Sequence, residues 1–371
     1  MLSLLSWWWP STTQNPKGPD RQATGHLCLP DTLASWPWPR SVNPHYDTVA
    51  AESLEWLHSY NFFPPKAQLA FDRCNYEHIR IGCDLMNVFF VIEDGTDDES
   101  PAETTKRVRL VTEALRNPTV ARPDGEWGGV EIARAFWHRA TSTPGVRPAT
   151  AARFLHHFEG YLQAVATEAA DRAKERVHGG PPVYTLDSFL HVRRRTVGAL
   201  PSFVLMELGL PAHMDDEDIT AAADHPLVHE LASVATDMIL IGNDLVSYNR
   251  ERAAGAVHNI VTVVLNNPPD KDVPHAPPRI VTVQDSVDWV AAYHQTLLAQ
   301  FLGLYEAVTV LERAPQALSG MAATPLLLYA DGLGNWVRAN DQWSFESVRY
   351  FGANGGEVQA TRRVELVPRG V

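Results

Sequence analysis

Between Asp224 and Glu251 apolar residues return at three- and four-residue steps: Leu227, Leu231, Val234, Met238, Ile241 and Leu245. That spacing describes a helix with one buried face, because a strand would send alternate members to opposite sides. The same helix carries Asn243, Ser247 and Glu251, four residues apart. Each step of four rotates only ~40°, so the three oxygen-bearing side chains share a stripe ~80° wide close to the core face. A buried amide or hydroxyl without a partner costs ~1–3 kcal/mol. A divalent cation would satisfy such a set, since hard cations prefer oxygen donors. A solvated helix face has the same layout, so the choice falls to the rest of the chain.

Helical spacing recurs through most of that chain, over about 46–61, 66–93, 101–116, 127–140, 148–176, 185–208, 215–221, 225–253, 257–266, 283–312 and 318–338. With no repeat, no glycine-rich phosphate loop and no alternation of strand with helix, the pattern predicts an all-α fold. The proline-rich passage "NNPPDKDVPHAPPRI", Asn266 to Ile280, admits no helix. No break is flanked by a change of composition, which favours one domain. The segment "WSFESVRYFG" closes the ordered part, with a loose tail expected after Gly352.

A chain of 371 residues can bury a large core. Its 44 acidic against 31 basic residues give a net charge of −13, the wrong sign for gripping nucleic acid or an anionic membrane. A polyanionic ligand must be met locally, by clustered arginines or by bound cations. Three cysteines (Cys28, Cys74, Cys83), without metal-finger spacing, suit a reducing compartment. The start "MLSLLSWWWPSTTQNPKGPD" lacks a basic n-region and meets Pro10 too early for a membrane span, so it reads as a disordered leader. These features lead us to expect a cytoplasmic protein with no membrane span.

Acid and base are concentrated in a few places. In "MNVFFVIEDGTDDESP" an apolar helix end runs into Glu93, Asp94, Asp97, Asp98 and Glu99, five carboxylates in seven residues. Their repulsion, set directly after a buried run, calls for counter-cations, and Glu93 with Asp97 at i,i+4 can face one ion. Asp94 with Asp98 is the alternative register. "MDDED", Met214 to Asp218, opens a helix whose dipole welcomes carboxylates, and carries no chemistry in this reading. Arg193, Arg194 and Arg195 lie together within an apolar helix, and Arg349 stands beside Tyr350; a guanidinium fork reads phosphate oxygens well.

Taken together, these stretches resemble the class I terpene synthases, specifically the basidiomycete-type fungal sesquiterpene cyclases. That family has an aspartate-rich motif ending one helix and an Asn-x-x-x-Ser-x-x-x-Glu motif on another. It adds an arginine diphosphate sensor and an Arg-Tyr pair near the C-terminus. Here they are Glu93-Asp94-x-x-Asp97, Asn243/Ser247/Glu251, Arg193 and Arg349-Tyr350, in the family's order. The resemblance implies a class I terpenoid synthase bundle of helices around a central apolar cavity, spanning 28–353, between a disordered leader (1–27) and a flexible tail (354–371). It implies three Mg²⁺ ions: Glu93 and Asp97 would bind two, Asn243, Ser247 and Glu251 a third, with Asp94 in a variable role. Arg193 would sense the diphosphate, Thr196 would link it, and the Val197 carbonyl would aim its dipole at the substrate. Arg250 stands where the family usually has lysine. Arg349 and Tyr350 would close on the diphosphate. Glu93 departs from the family's usual aspartate.

The resemblance makes the expected reaction Mg²⁺-dependent ionisation of farnesyl diphosphate and cyclisation of the carbocation, by a monomer or homodimer without a nucleic-acid partner. Geranyl diphosphate is the alternative substrate. Electrostatic catalysis would fall to the cations with Arg193, Arg250 and Arg349. Aromatic faces would line the apolar pocket: Phe89 first, one turn before Glu93, then Phe90, Trp336 and Trp343. An isoprenyl chain-elongating transferase and a non-catalytic helical scaffold are the rival readings.

Overall fold

The computed structural model describes residues 25–41, 46–60, 80–97, 99–143, 146–178, 184–209, 214–270, 272–313 and 323–368. The leader up to residue 24, Asp98 and the stretch 61–79 lie outside them, so the described part of the expected helix 66–93 begins at Arg80.

Helices dominate, as the periodicity predicts. In chain order they are α1 (Tyr46–His58), α2 (Arg80–Thr96), α3 (Pro101–Arg116), α4 (Gly128–Ser142), α5 (Pro148–His178), α6 (Leu186–Thr196) and α7 (Ala199–Val204). Then follow α8 (Asp216–Ala223), α9 (Pro226–Ala253), α10 (Ile260–Asn266), α11 (Val283–Arg313), α12 (Ala323–Glu346), α13 (Val348–Phe351) and α14 (Gly355–Thr361). The boundaries are chemical. Ser100, Thr185, Asp215, His225 and Asn259 each accept a backbone N–H at a helix start, and Pro101 and Pro226 open their helices where no donor is needed.

Two apolar clusters form the interior. One gathers α2, α3, α4 and α5 around Phe136, Phe154, Phe158 and Phe89. The other surrounds α9 with α11, α12 and the N-terminal segment. In that segment Trp36 and Trp38 meet at a tilt with ring centroids 4.8 Å apart and pack on Phe301, while Trp36 Nε1 donates to the Gly334 carbonyl.

Two expectations change. The helix foreseen over 185–208 breaks, because Gly198 takes φ +70°, open to glycine, and a Cβ there would sit 3.0 Å from the Phe89 ring. The break separates α6 from α7 beside the site. The tail foreseen as loose instead folds: after a 3-10 turn at Gly352–Asn354, α14 leads into a strand, β2 (Arg363–Glu365), antiparallel to β1 (His26–Cys28). Its single inward residue, Val364, pairs with Leu27, and a two-residue alternation is too short to register as periodicity. No helix among the described residues is long and apolar enough to cross a membrane.

Candidate active site

The C-terminal end of α2 brings acid to the site. Val88, Val91 and Ile92 bury one side of the helix, and the helical bonding continues from the Asp97 N–H to the Glu93 carbonyl at 3.0 Å. Trp127 packs so closely on Gly95 that a Cβ there would collide with its ring. Arg107 lies over that ring, bonds the Gly95 carbonyl and pairs with Glu99 at 2.6 Å. These contacts fix where the acidic turn begins. The Glu93 side chain is 43% exposed. Burial raises the Glu93 pKa; Arg349 and Arg193 oppose this, while Glu168 and Glu251 add to it.

Helix α9 approaches from the other side. Asn243 Oδ1 accepts from Arg193 Nη2 at 2.8 Å, and Asn243 Nδ2 donates to the Tyr350 hydroxyl at 2.7 Å. Ser247 is buried, and its hydroxyl has only long contacts, 3.4 Å to the Asp244 carbonyl and 3.5 Å from Asn259 Nδ2. Glu251 Oε2 accepts from Asn259 Nδ2 at 3.0 Å. Asn259, the residue capping α10, also donates to the Asp244 carbonyl at 2.8 Å, so one amide ties Ser247 and Glu251 to the next helix.

Arginines stand between the two ends. Arg193 binds Asp244 through Nε at 3.0 Å and Nη2 at 2.9 Å, and the backbone N–H of Ile260 donates to the other Asp244 oxygen at 2.9 Å. Burial raises the Asp244 carboxyl pKa against the pull of Arg193. Arg349 reaches Glu93 at 3.6 Å while its guanidinium lies 4.7 Å over the Phe90 ring, and Arg250 Nη1 donates to the Arg349 carbonyl at 2.7 Å. From α5, Arg172 meets Asp97 at 3.8 Å and Glu168 at 3.2 Å, and donates to the Thr96 carbonyl at 3.4 Å. Glu168 in turn lies 3.7 Å from His258, the neighbour of Asn259.

Of the residues singled out by sequence, the structure gathers Glu93, Asp97, Arg193, Asn243, Ser247, Arg250, Glu251, Arg349 and Tyr350. Asp94 is exposed, on the outer side of the α2 end. Arg194 turns away to a bidentate pair with Asp237 at 2.6 and 2.7 Å, and Arg195 is exposed. Thr196 is buried with no bond to its hydroxyl, and Val197 caps α6 just before Gly198. Phe89 touches Gly198 and stands 4.8 Å from Tyr161. Phe90 and Trp343 stack at 6.5 Å under Arg349, and Trp343 meets the Tyr350 ring at 5.8 Å. Trp336 faces Phe203 at 6.3 Å. Sequence reading missed Asp244, Asn259, Glu168 and Arg172. Asp244 alone carried a visible signal, an acid flanked by core residues in a helix.

Among the described residues no three His, Cys, Asp or Glu side chains are close enough to hold a metal ion on their own. The oxygen donors are instead divided between α2 and α9, and include an amide and a hydroxyl. The set suits a hard divalent cation in kind. Ser247, with its poorly engaged buried hydroxyl, is the position that most wants one.

A helical bundle in which a carboxylate-bearing helix end faces an Asn/Ser/Glu stripe across three arginines is a class I diphosphate-ionising architecture. The chain belongs to the terpene synthase family: residues 84–300 match the family model described as terpene synthase family 2, C-terminal metal binding. It is thus a terpene cyclase, a lyase acting on a diphosphate, with a metal-binding domain. It is 41% identical over 356 residues to a Delta(6)-protoilludene synthase of Stereum hirsutum, covering 92% of this chain and 88% of that protein. A Delta(6)-protoilludene synthase of Armillaria gallica is 40% identical over 357 residues, covering 92% of this chain and 94% of that protein. In fold it is similar to a linalool/nerolidol synthase from Streptomyces clavuligerus in complex with 2-fluorogeranyl diphosphate. That likeness has a TM-score of 0.67 at 22% identity, covering 85% of this chain and 99% of the other.

Proposed function

We propose that the protein ionises farnesyl diphosphate in the presence of Mg²⁺ and cyclises the resulting cation to a sesquiterpene, releasing pyrophosphate. The observation that carries this reading is the meeting of Glu93 and Asn243 through the Arg349–Arg250 and Tyr350 contacts. Delta(6)-protoilludene is the product we favour, because relatives of that name from three genera match 92% of this chain at 39–41% identity.

Glu93 and Asp97 on one side and Asn243, Ser247 and Glu251 on the other would hold Mg²⁺, three ions in our reading. Bound Mg²⁺ supplies Lewis-acid stabilisation of the negative charge that develops on the departing diphosphate. Arg193, Arg250 and Arg349 supply the rest as fixed cations, and the Tyr350 hydroxyl as a neutral donor. Phe89, set against Gly198 and the C-terminal dipole end of α6, offers a π face where positive charge is left behind. Phe158, stacked behind it, excludes water.

The test is incubation of purified protein with farnesyl or geranyl diphosphate and Mg²⁺, reading pyrophosphate release and the hexane-soluble products by gas chromatography–mass spectrometry. Release from farnesyl diphosphate without a co-substrate, with a cyclic hydrocarbon, is the expected result. A requirement for isopentenyl diphosphate, or no release, would overturn it.

A further inference from the structure

Tyr161 sits on the face of α5 that also carries Phe154, Phe158 and Glu168, a stripe at helical spacing directed toward α2. Phe154 and Phe158 stack at 5.4 Å, Phe158 stacks on Phe89 at 5.6 Å, and Tyr161 meets Phe89 edge-on at 4.8 Å. The column therefore runs from the interior of the α2–α5 half to the ring that touches Gly198. Its last member differs from the others by one atom. The Tyr161 side chain is 2% exposed and its hydroxyl has no hydrogen-bond partner.

A phenylalanine would fill the same space without an orphaned oxygen, so packing gives no reason for tyrosine here. The hydroxyl is also not remote from the chemistry. It lies within the fields of Glu93, Glu168, Asp97 and Arg193, the charges that border the diphosphate end of the site. Burial, followed by the nearby carboxylates, holds its pKa well above the ordinary phenol value, so it stays neutral and presents a dipole.

Resting on the cyclase reading above, we propose that Tyr161 determines specificity: its hydroxyl oxygen faces the carbocation beside Phe89 and selects among competing ring closures. The oxygen takes no proton and forms no bond. It lowers the energy of cations whose charge lies near it, and leaves diphosphate departure to the cations and arginines.

The test is Tyr161→Phe in the full-length protein, with three readouts. Pyrophosphate release from farnesyl diphosphate stays within about threefold of the parent, because the leaving-group machinery is untouched. The melting temperature holds or rises, because an unpartnered oxygen has been removed. The ratio of the main product to its side products shifts by about fivefold, the effect of one hydrogen-bond-strength dipole on two competing barriers. An unchanged product ratio would overturn the proposal, and so would a variant that melts lower or fails to fold, since the hydroxyl would then serve the structure. Failure of the parent protein itself to release pyrophosphate would strike the cyclase reading instead.

Discussion

On α9 the oxygen donors are tied by short bonds: Asn243 to Arg193 and Tyr350 at 2.8 and 2.7 Å, Glu251 to Asn259 at 3.0 Å. On α2, Glu93 meets Arg349 at 3.6 Å, beyond hydrogen-bonding reach. One side of the site is set before anything binds, and the other is loosely neutralised. An ion pair at such a separation near solvent contributes little, so the Glu93 carboxylate can exchange the guanidinium for another cation at small cost. The α9 side cannot shift without breaking a connected network.

The largest effect tests the rigid side directly. Asn243→Ala removes both the acceptor of Arg193 and the donor to Tyr350. Turnover should fall at least about a hundredfold, as when a preorganised charge-stabilising group is deleted, with an unaltered circular dichroism spectrum. Asp97→Ala should lower turnover as well. Retained activity in the Asn243 variant would remove α9 from the chemistry.

The scaffold behind that side has a pH limit. His294 on α11 is 1% exposed, and burial pushes its imidazole down to about 4, opposed by its bond to the Met238 backbone on α9. Because its folded value lies below the unfolded value near 6.5, its stabilising contribution is complete above pH 6.5 and is lost as pH falls toward 4. Urea unfolding at pH 7 and pH 5 should differ by about 2 kcal/mol on this account. His294→Leu should flatten that slope. An equal slope in the variant would move the acid sensitivity elsewhere.

The same contrast explains what was legible in the sequence. The helices were readable because each buries a stripe at three- and four-residue spacing, and α3 falls on the predicted bounds, Pro101 to Arg116. The stripe of Asn243, Ser247 and Glu251 was visible because one helix carries all three. Asn259, Arg172 and Glu168 were not, because their relation to the site exists only in space, between α5, α10 and the helix ends. The break at Gly198 was hidden for a similar reason. A glycine within a helical pattern is tolerated, and only the approach of Phe89 from a distant helix demands the left-handed residue there. The pairing of β2 with β1 joins residues more than 330 apart, beyond any local pattern.

If rigidity on the α9 side matters, the residues supporting the two sides should be unequal in weight. Asn259→Ala leaves Asn243, Ser247 and Glu251 in place but cuts the ties to Glu251, Ser247 and the Asp244 carbonyl. The Mg²⁺ concentration for half-maximal activity, and for half-maximal thermal stabilisation by Mg²⁺ with pyrophosphate, should rise about tenfold or more. Arg172→Ala loosens only the α2 side, and the same two readings should move by less than about fivefold. The reverse order would show that the acidic turn, and not α9, is the part that must be held.

The smallest change is expected at Glu93. Its carboxylate is held by a long contact to Arg349 and its side chain is 43% exposed, so a shorter chain can reposition. Glu93→Asp gives up one rotatable bond that would otherwise be frozen around a cation, offsetting the reach it loses. Turnover should therefore remain within about threefold of the parent, or rise, provided the carboxylate itself is what the site needs. Glu93→Gln separates charge from shape: it keeps the length and the long contact's geometry but removes the negative charge, and it should fall far below Glu93→Asp. Equal rates for Glu93→Gln and the parent would transfer the role to the register of Asp94. A loose side can tolerate a change of length, and a charge-bearing side cannot tolerate neutralisation, so the two substitutions at one position divide compliance from electrostatics.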